Sequence, residues 1–425
     1  MSYFQHSGEL PAWIGNPPVG WGTDWLKWHV RLLTERPTDE EAEELPYIAN
    51  EDISSWTGKL LNPDPQPADA DSRKFRPDDI LFNKLRPYLA KVYHASFAGV
   101  SSGELLCLRA EDRVLPRYLF YVVSSKAFVD TVNAETFGSK MPRADWETVG
   151  HQPLPLPAIE TQKRIASFLD EKTAQIDALI ENKRALLDRL AEKRQAIITH
   201  AVTKGLNHGR PMKNSGFAWL GQIPTHWEVR GLTKCTTRVD YRGATPEKST
   251  SGVFLVTARN IKNGRIDYTL SEEFILEEDY GHIMRRGKPA IGDVLFTTEA
   301  PLGEVAHVDR TDVALAQRII KFSSSIAELD NYYLGQWMQS TSFQFDLQSR
   351  ATGSTALGIK ASKIVELRCL IPPLREQREI VAYVQAASDA IDVVRNKVQT
   401  SIDHLSSYRS ASVTEAVTGQ IAELR

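Results

Sequence analysis

The feature that most constrains this sequence is a long helical stretch that occurs twice. It starts near Leu156-Pro157 and relaxes near Gly205, and it starts again at Ile371-Pro372. A shift of 215 positions aligns the copies without a gap, and thirteen residues are identical. The identical residues of the first copy are Pro157, Gln162, Ile165, Ile176, Asp177, Asp188, Leu190, Arg194, Ala196, Thr199, Ala201, Val202 and Thr203. Because Trp13–Trp21 also recurs as Trp219–Trp227, the duplication extends over nearly the whole chain as block, helix, block, helix.

Apolar residues in both copies recur at alternating steps of three and four, which is the heptad pattern of a coiled coil. The predicted seam is Ile165, Leu169, Ile176, Leu179, Leu186, Leu190 and Ile197 in the first copy, and Ile380, Val384, Ala387, Ile391, Val394, Val398, Leu405 and Tyr408 in the second. About 40 helical residues make a rod of roughly 60 Å. We interpret the pair as a spacer, with ordinary core helices as the alternative.

The apolar stripe is wider than a two-helix pair needs. The flanking residues are Ile180, Leu187 and Ile198 in the first copy and Val393, Ile402 and Val413 in the second. They predict a face for a helical partner subunit. Packing on the chain's own blocks is nearly as good an explanation.

Composition places few limits on function. The chain has 425 residues and a net charge of −3, so nucleic-acid binding would need local basic surfaces. Cys107, Cys235 and Cys369 are isolated thiols that suit a reducing compartment and form no zinc framework. Without a long apolar run or an N-terminal signal pattern, we expect a cytoplasmic protein with no membrane segment.

Each block combines strand signals with a helical patch, which predicts an α+β fold. Asp79–Phe82 parallels Asp293–Phe296, and the helical patches near 118–132 and 332–347 precede Gly-Ser loops. The expected domains are residues 1–155, a central helix 156–206, residues 207–370 and a second helix 371–425.

The sequence contains no convincing catalytic, nucleotide-binding or metal-binding motif. Asn16-Pro17-Pro18-Val19 resembles a DNA amino-methyltransferase motif but lacks the closing aromatic, so we interpret it as a turn. There is no phosphate-binding Gly-x-x-x-x-Gly-Lys-Ser/Thr loop, and the ten histidines have no ligand spacing. Glu277-Glu278-Asp279 is better explained as a solvated turn than as a cation site. We therefore predict no catalytic residues and no metal site.

The chain resembles the DNA-specificity subunits of type I restriction–modification systems. The resemblance rests on Asp79–Lys91, Phe137–Trp146, Trp219–Trp227 and the two Pro-x-x-x-x-Gln-x-x-Ile helix starts. It implies two target recognition domains in tandem, each reading half of a split DNA site, with two long antiparallel helices that set the gap. It also implies docking of two methyltransferase subunits, which would bind S-adenosylmethionine, and of nuclease–translocase subunits outside them. No cofactor is expected on this chain. The alternative function is a non-catalytic coiled-coil adaptor that joins two protein-binding modules.

Candidate DNA contacts are basic and polar residues of the two blocks. Arginine can bond guanine and asparagine adenine, whereas lysine and small hydroxyls more often hold phosphates. The candidates are Lys84, Arg86, Lys91, Lys140 and Arg143 in the first block, and Tyr241, Arg242, Arg259, Asn260, Arg318, Ser354, Thr355 and Lys360 in the second.

Overall fold

The computed structural model describes residues 13–61, 71–138, 140–243, 246–353 and 357–425. The chain divides into two compact units. The first consists of Met1–Arg184 with Gln399–Arg425, and the second of Ala185–Val398. Each unit therefore combines one block with part of both long helices.

The first block is a mixed α/β domain. Its strands are β1 (Gly22–Trp25), β2 (Val30–Leu33), β3 (Tyr47–Ile48), β4 (Arg73–Phe75), β5 (Ile80–Asn83), β6 (Val92–His94), β7 (Gly99–Ser101), β8 (Leu105–Ala110) and β9 (Pro153–Leu156). Its α-helices are α1 (Asp39–Glu44), α2 (Pro116–Ser124), α3 (Lys126–Ala134) and α4 (Trp146–Gly150). An antiparallel sheet has the order β2-β8-β5-β6, and a second sheet has the order β3-β7-β4, in which β3 and β7 are parallel.

The second block repeats this plan with additional strands. Its strands are β10 (Met212–Asn214), β11 (Gln222–Pro224), β12 (Glu228–Gly231), β13 (Thr236–Asp240), β14 (Val253–Val256), β15 (Ile261–Lys262), β16 (Arg265–Ile266), β17 (Phe274–Ile275), β18 (Val294–Thr298), β19 (Leu302–His307), β20 (Val313–Leu315), β21 (Ile319–Ser324) and β22 (Arg368–Ile371). Its α-helices are α6 (Leu232–Cys235), α7 (Tyr280–Ile283), α8 (Asn331–Gln339), α9 (Thr341–Ser349) and α10 (Ala361–Ile364). The sheet β13-β21-β18-β19 corresponds to β2-β8-β5-β6, and the parallel pair β14–β20 corresponds to β3–β7.

The long helices are α5 (Ile159–Lys204), with 46 residues, and α11 (Leu374–Val417), with 44 residues. Within the first unit, Arg409 bonds the Asp177 carboxylate at 2.8 Å. Within the second unit, Arg194 bonds Asp392 at 2.7 Å. These two ion pairs are related by the 215-residue shift, and in each unit they link helices that run antiparallel. The predicted tandem α+β architecture with two long antiparallel helices is confirmed.

A buried glutamine ties the start of each long helix to its block. The Gln162 amide donates to the carbonyls of Arg113 and Pro157, and its oxygen accepts from the Leu115 N–H. Gln377 makes the equivalent bonds to Glu328, Pro372 and Asp330. Since α2 begins directly after Leu115 and α8 directly after Asp330, each glutamine orients the block's helix against the long helix.

The hydrophobic core of each unit is shared between the block and the long helices. In the first unit, Ile165 and Leu169 of α5 and Val413 of α11 pack with residues of α2, β5 and β8. In the second, Ile198 of α5 and Ile380 of α11 pack with residues of α8, β18 and β21. The blocks therefore cover much of the apolar surface of both helices.

The predicted heptad seam needs a correction. Leu179 and Leu186 are 50% and 40% exposed, and Val394 and Tyr408 are 43% and 51% exposed. Ile180 and Ile402, predicted to lie outside the seam, are buried instead. The physical reason is that block residues as well as the other helix decide which face of each helix is covered, so a strict seven-residue repeat does not follow the buried face.

Candidate nucleic-acid interface

In the first block, the predicted contacts surround the loop that follows β5. The Asn83 amide bonds both the N–H and the carbonyl of Leu85, and Arg86 has a left-handed backbone with a φ of 52°. Arg86 donates its N–H to the Pro142 carbonyl, and Leu85 forms a β-bridge with Arg143. The structure therefore brings 84–86 and 140–143 together at one surface.

The side chains of this surface differ in whether they are free to contact a nucleic acid. Arg143 is committed to both oxygens of the Glu104 carboxylate at 2.8 Å, and Lys91 donates its ammonium to the Asn50 carbonyl at 2.7 Å. Lys84 and Arg86 are half-buried, and Lys140 is exposed. Within the described ranges, none of these last three forms an ion pair, so their charges are available to a phosphate.

In the second block, Tyr241 and Arg242 have structural roles. Tyr241 is 4% exposed and its hydroxyl donates to the Gly287 carbonyl at 2.7 Å; burial raises its pKa. The Arg242 guanidinium bonds the Asp240 carboxylate and the Ile359 carbonyl. The prediction that Tyr241 touches DNA is therefore withdrawn, because its ring and hydroxyl are inside the block.

Asn260 is also internal, with no exposed surface. Its oxygen accepts from the N–H and the hydroxyl of Thr257, and its amide donates to the carbonyls of Asp267 and Ser271. All of its hydrogen-bonding capacity that matters for adenine recognition is used within the protein. Asn260 holds a turn in place and is not available to a base edge.

Arg259, Arg318 and Lys360 are exposed at the surface. Arg318 has a φ of 75° and pairs with Glu299 at 2.9 Å, whereas Arg259 forms no ion pair with any described residue. Lys360 directly precedes α10, and its backbone carbonyl accepts a hydrogen bond from the Lys363 N–H. Ser354 and Thr355 lie outside the described residues.

A cleft of about 200 Å³ brings two of these residues together. Its lining includes Arg259, Gln317 and Arg318, with Lys248 and Thr257 beside them. The lining contains three cations, Lys248, Arg259 and Arg318, and one carboxylate, that of Glu273, which pairs with Lys248 at 2.8 Å. A cationic concave surface of this kind favours the phosphodiester backbone of a nucleic acid.

A neighbouring hollow of about 220 Å³ shares Pro246 with this cleft and is lined by His282, Arg285 and Arg286. Lys248, Gln317, Arg285 and Arg286 are not among the contacts predicted from the sequence. Arg285-Arg286 is a basic pair in the sequence, which could have indicated these two residues, whereas Gln317 carries no charge and has no such signal.

The six predicted subunit-interface residues divide into two groups. Ile180, Ile198, Ile402 and Val413 are between 4% and 7% exposed, so they pack inside this chain and are withdrawn as partner contacts. Val393 is 55% exposed and Leu187 is half-buried, so these two remain predictions. The internal packing was the alternative that the sequence left open.

The weak motifs have simple structural settings. Pro18 accepts a hydrogen bond from the Trp21 N–H, and Val19 is fully exposed, so the Asn-Pro-Pro-Val stretch lies in a turn. Among the described residues there is no group of His, Cys, Asp or Glu that could hold a metal ion. Over the same ranges, no helix has the length and apolar content needed to cross a membrane.

Comparison with known proteins decides the family. The sequence profile described as "Type I restriction modification DNA specificity domain" matches residues 34–189 and again 241–402. The chain belongs to this family. Each match covers most of one block and continues into the long helix that follows it, so both blocks are target recognition domains of a type I specificity subunit.

Two relatives show how far the family has diverged. The MjaVIII specificity subunit of Methanocaldococcus jannaschii is 23% identical over 312 residues, which cover 70% of each chain. The EcoKI specificity subunit of Escherichia coli K12 is 20% identical over 434 residues, covering 98% of this chain and 90% of that one. A chain solved in a study of "complex assembly and conformational transition of the type I R-M system" has a TM-score of 0.71 at 17% identity, covering 95% of this chain and 98% of that chain. This specificity-family member therefore has the fold of a solved type I system chain.

Proposed function

We propose that this chain reads a bipartite, asymmetric DNA site, with one half bound by each target recognition domain. The observation that carries the proposal is the equivalence of contacts in the two units. The ion pairs Asp177–Arg409 and Asp392–Arg194 and the two buried glutamines recur at the same shift. Two similar DNA-binding domains joined by stiff helices suit the binding of two separated half-sites on one duplex.

The long helices would set the non-specific gap between the half-sites. At 1.5 Å per residue, removing seven residues from each helix shortens it by roughly 10 Å, which is about three base pairs of B-DNA. We would delete 181–187 and 396–402 together and map methylated adenines in cells that carry the methyltransferase subunit. A gap shorter by about three base pairs supports the proposal. An unchanged gap, or a single uninterrupted methylated sequence with the original chain, would contradict it.

We further propose that two methyltransferase subunits dock on the exposed apolar residues of the helices. Leu179 and Val394 are 50% and 43% exposed and are related by the 215-residue shift. This relation supports one equivalent docking position per half. Nuclease–translocase subunits would join outside the methyltransferases.

The docking test compares charged substitutions at two related pairs of positions. Leu179→Glu with Val394→Glu should abolish co-purification of the methyltransferase. Asn182→Glu with Lys397→Glu is the matched control, because these residues are also exposed and related by the same shift. Undiminished methyltransferase binding by the Leu179/Val394 variant would remove these residues from the interface.

We assign no catalytic step to this chain. Methyl transfer from S-adenosylmethionine and DNA cleavage would be carried by the partner subunits, and the chain alone should transfer no methyl group. DNA binding by the complex with methyltransferase should weaken steeply with salt, since Lys84, Arg86 and Lys140 are free to meet phosphates. A complex that bound no DNA at low salt would instead favour the adaptor function.

A further inference from the structure

The two blocks share a turn whose exposed residue differs. In the first block the Ala49 N–H donates to the Asp52 carboxylate, and the Asp52 N–H donates back to the Ala49 carbonyl. In the second block Thr257 and Asn260 exchange the same two bonds. Both turns follow equivalent strands, β3 and β14. The residue before the capping side chain is exposed in each: Glu51 in the first block and Arg259 in the second.

A second pair of turns lies beside the first pair. The Arg318 carbonyl accepts from the Thr298 N–H, and the Glu104 carbonyl accepts from the Lys84 N–H, so 102–104 and 316–318 are equivalent. The central residue is Gly103 in the first block and Gln317 in the second. A Cβ at position 103 would lie 2.7 Å from the Cβ of Asp71, so the first block has no room for a side chain there.

Strand pairing places the two turns of the second block side by side. β14 and β20 are parallel, with Val256 opposite Leu315, and the Ala316 N–H donates to the Val256 carbonyl. Both strands therefore end at one edge, and Arg259 and Gln317 line the same 200 Å³ cleft. Each of these residues is next to a residue that is fixed by hydrogen bonds. The Asn260 side chain, which follows Arg259, makes four hydrogen bonds. The carbonyl of Arg318, which follows Gln317, accepts from the Thr298 hydroxyl.

Some polar side chains of the cleft already have a partner within the protein, and others do not. Arg318 is paired with Glu299, Lys248 with Glu273, and the Thr257 hydroxyl with Asn260. Among the residues that the structure describes, Arg259 and Gln317 have no such side-chain partner. These two therefore combine an uncommitted hydrogen-bonding group with a rigid backbone, which direct readout of a base edge requires.

We propose that Arg259 and Gln317 are the specificity-determining pair of the second target recognition domain, an inference that rests on the proposed function. The Arg259 fork matches the O6 and N7 acceptors of guanine, and the Gln317 amide matches the N6 and N7 groups of adenine. Lys248 and Arg318, which flank them, are paired with carboxylates and are assigned no base contact. In the first block the equivalent residues, Glu51 and Gly103, have neither an arginine fork nor an amide, so the two half-sites should differ.

The test uses the complex of the full chain with its methyltransferase. Binding is measured to the methylated site identified in cells and to every single-base substitution of it. Arg259→Ala with Gln317→Ala should lower discrimination about ten- to hundredfold at one or two adjacent base pairs of the second half-site. Discrimination in the first half-site should be unchanged. Arg265→Ala, which removes an exposed arginine of β16, is the matched control and should leave all positions unchanged.

Two results would overturn the inference. One is full discrimination at every base pair in the double variant. The other is a uniform loss of affinity over all sequences with a smaller salt dependence, which marks phosphate contacts. Thermal unfolding of each variant verifies folding, and the single variants Arg259→Lys and Gln317→Glu replace the double variant if it is unstable. Failure of the original complex to discriminate any sequence would refute the proposed function itself, which is a separate outcome.

Discussion

The two helix-to-helix ion pairs offer a matched experiment on burial. Asp177–Arg409 and Asp392–Arg194 have the same chemistry and are related by the 215-residue shift, but their environments differ. The side chains of Arg409 and Asp177 are 14% and 12% exposed, and Arg409 also donates to the Trp56 carbonyl at 2.8 Å. Those of Arg194 and Asp392 are 21% and 26% exposed. Arg194 also donates to the Ser388 carbonyl at 3.3 Å, and Asp392 has a second ion-pair partner, Arg395, at 3.3 Å. We therefore expect Arg409→Met to be more damaging than Arg194→Met.

The magnitude follows from what each substitution leaves behind. Arg409→Met leaves a nearly buried carboxylate and the Trp56 carbonyl unsatisfied, which should cost about 3 kcal/mol. Arg194→Met leaves a carboxylate that water reaches more easily and that keeps Arg395 as an ion-pair partner, so about 1.5 kcal/mol is expected. The difference corresponds to roughly tenfold in the local opening equilibrium.

Hydrogen exchange measures this locally, because the chain has two compact units and a single unfolding free energy is not defined. Amide exchange should accelerate about hundredfold around Asp177 in Arg409→Met, and about tenfold around Asp392 in Arg194→Met. A double-mutant cycle of Asp177→Asn with Arg409→Met isolates the pair. Equal acceleration in both single variants, or a larger effect at Arg194, would refute the argument from burial and from the partners that remain.

Three further predictions concern buried polar groups. Gln377→Ala should destabilise the second unit by about 2–3 kcal/mol, since the buried Pro372 carbonyl and two partly buried backbone groups lose their partner. The exposed Gln385→Ala should cost under about 0.5 kcal/mol, and limited proteolysis would compare the two variants. Burial holds the pKa of His307 below its ordinary value, so the unfolded chain binds this proton more readily. Stability should fall as pH drops from about 7 to about 5, and melting of His307→Gln should depend less on pH; an unchanged pH dependence would contradict this. Burial raises the pKa of the Cys107 thiol to about 11. At neutral pH, alkylation of Cys107 should therefore be more than about a hundredfold slower in the folded chain than in the unfolded chain. Mass spectrometry of the alkylated protein would measure the two rates.

The sequence was sufficient for the architecture because the duplication is a property of the chain itself. The shift of 215 residues that aligns Gln162 with Gln377 also relates their hydrogen bonds in the folded protein. The helix starts were close as well, since prolines precede Ile159 and Leu374. Periodicity did not predict the buried face correctly at Leu179, because tertiary cover from the block decides which positions reach water.

The binding surface was harder to predict because residue type does not give exposure. Asn260 has the chemistry to read adenine, but its amide is consumed by backbone partners distant in sequence. Tyr241 is likewise enclosed by residues near Gly287. Gln317 gave no signal alone, since its relation to Arg259 depends on the parallel pairing of β14 and β20.

The interleaved makeup of the two units has a consequence for biosynthesis. The segment 185–398 is continuous, so the second unit has all of its residues once the ribosome has passed Val398. The first unit still lacks 399–425, whose residues Val413, Ala416 and Val417 belong to its hydrophobic core. The half of the molecule that is translated first would thus be the one that is finished last, and part of its apolar core would lack cover in the interval.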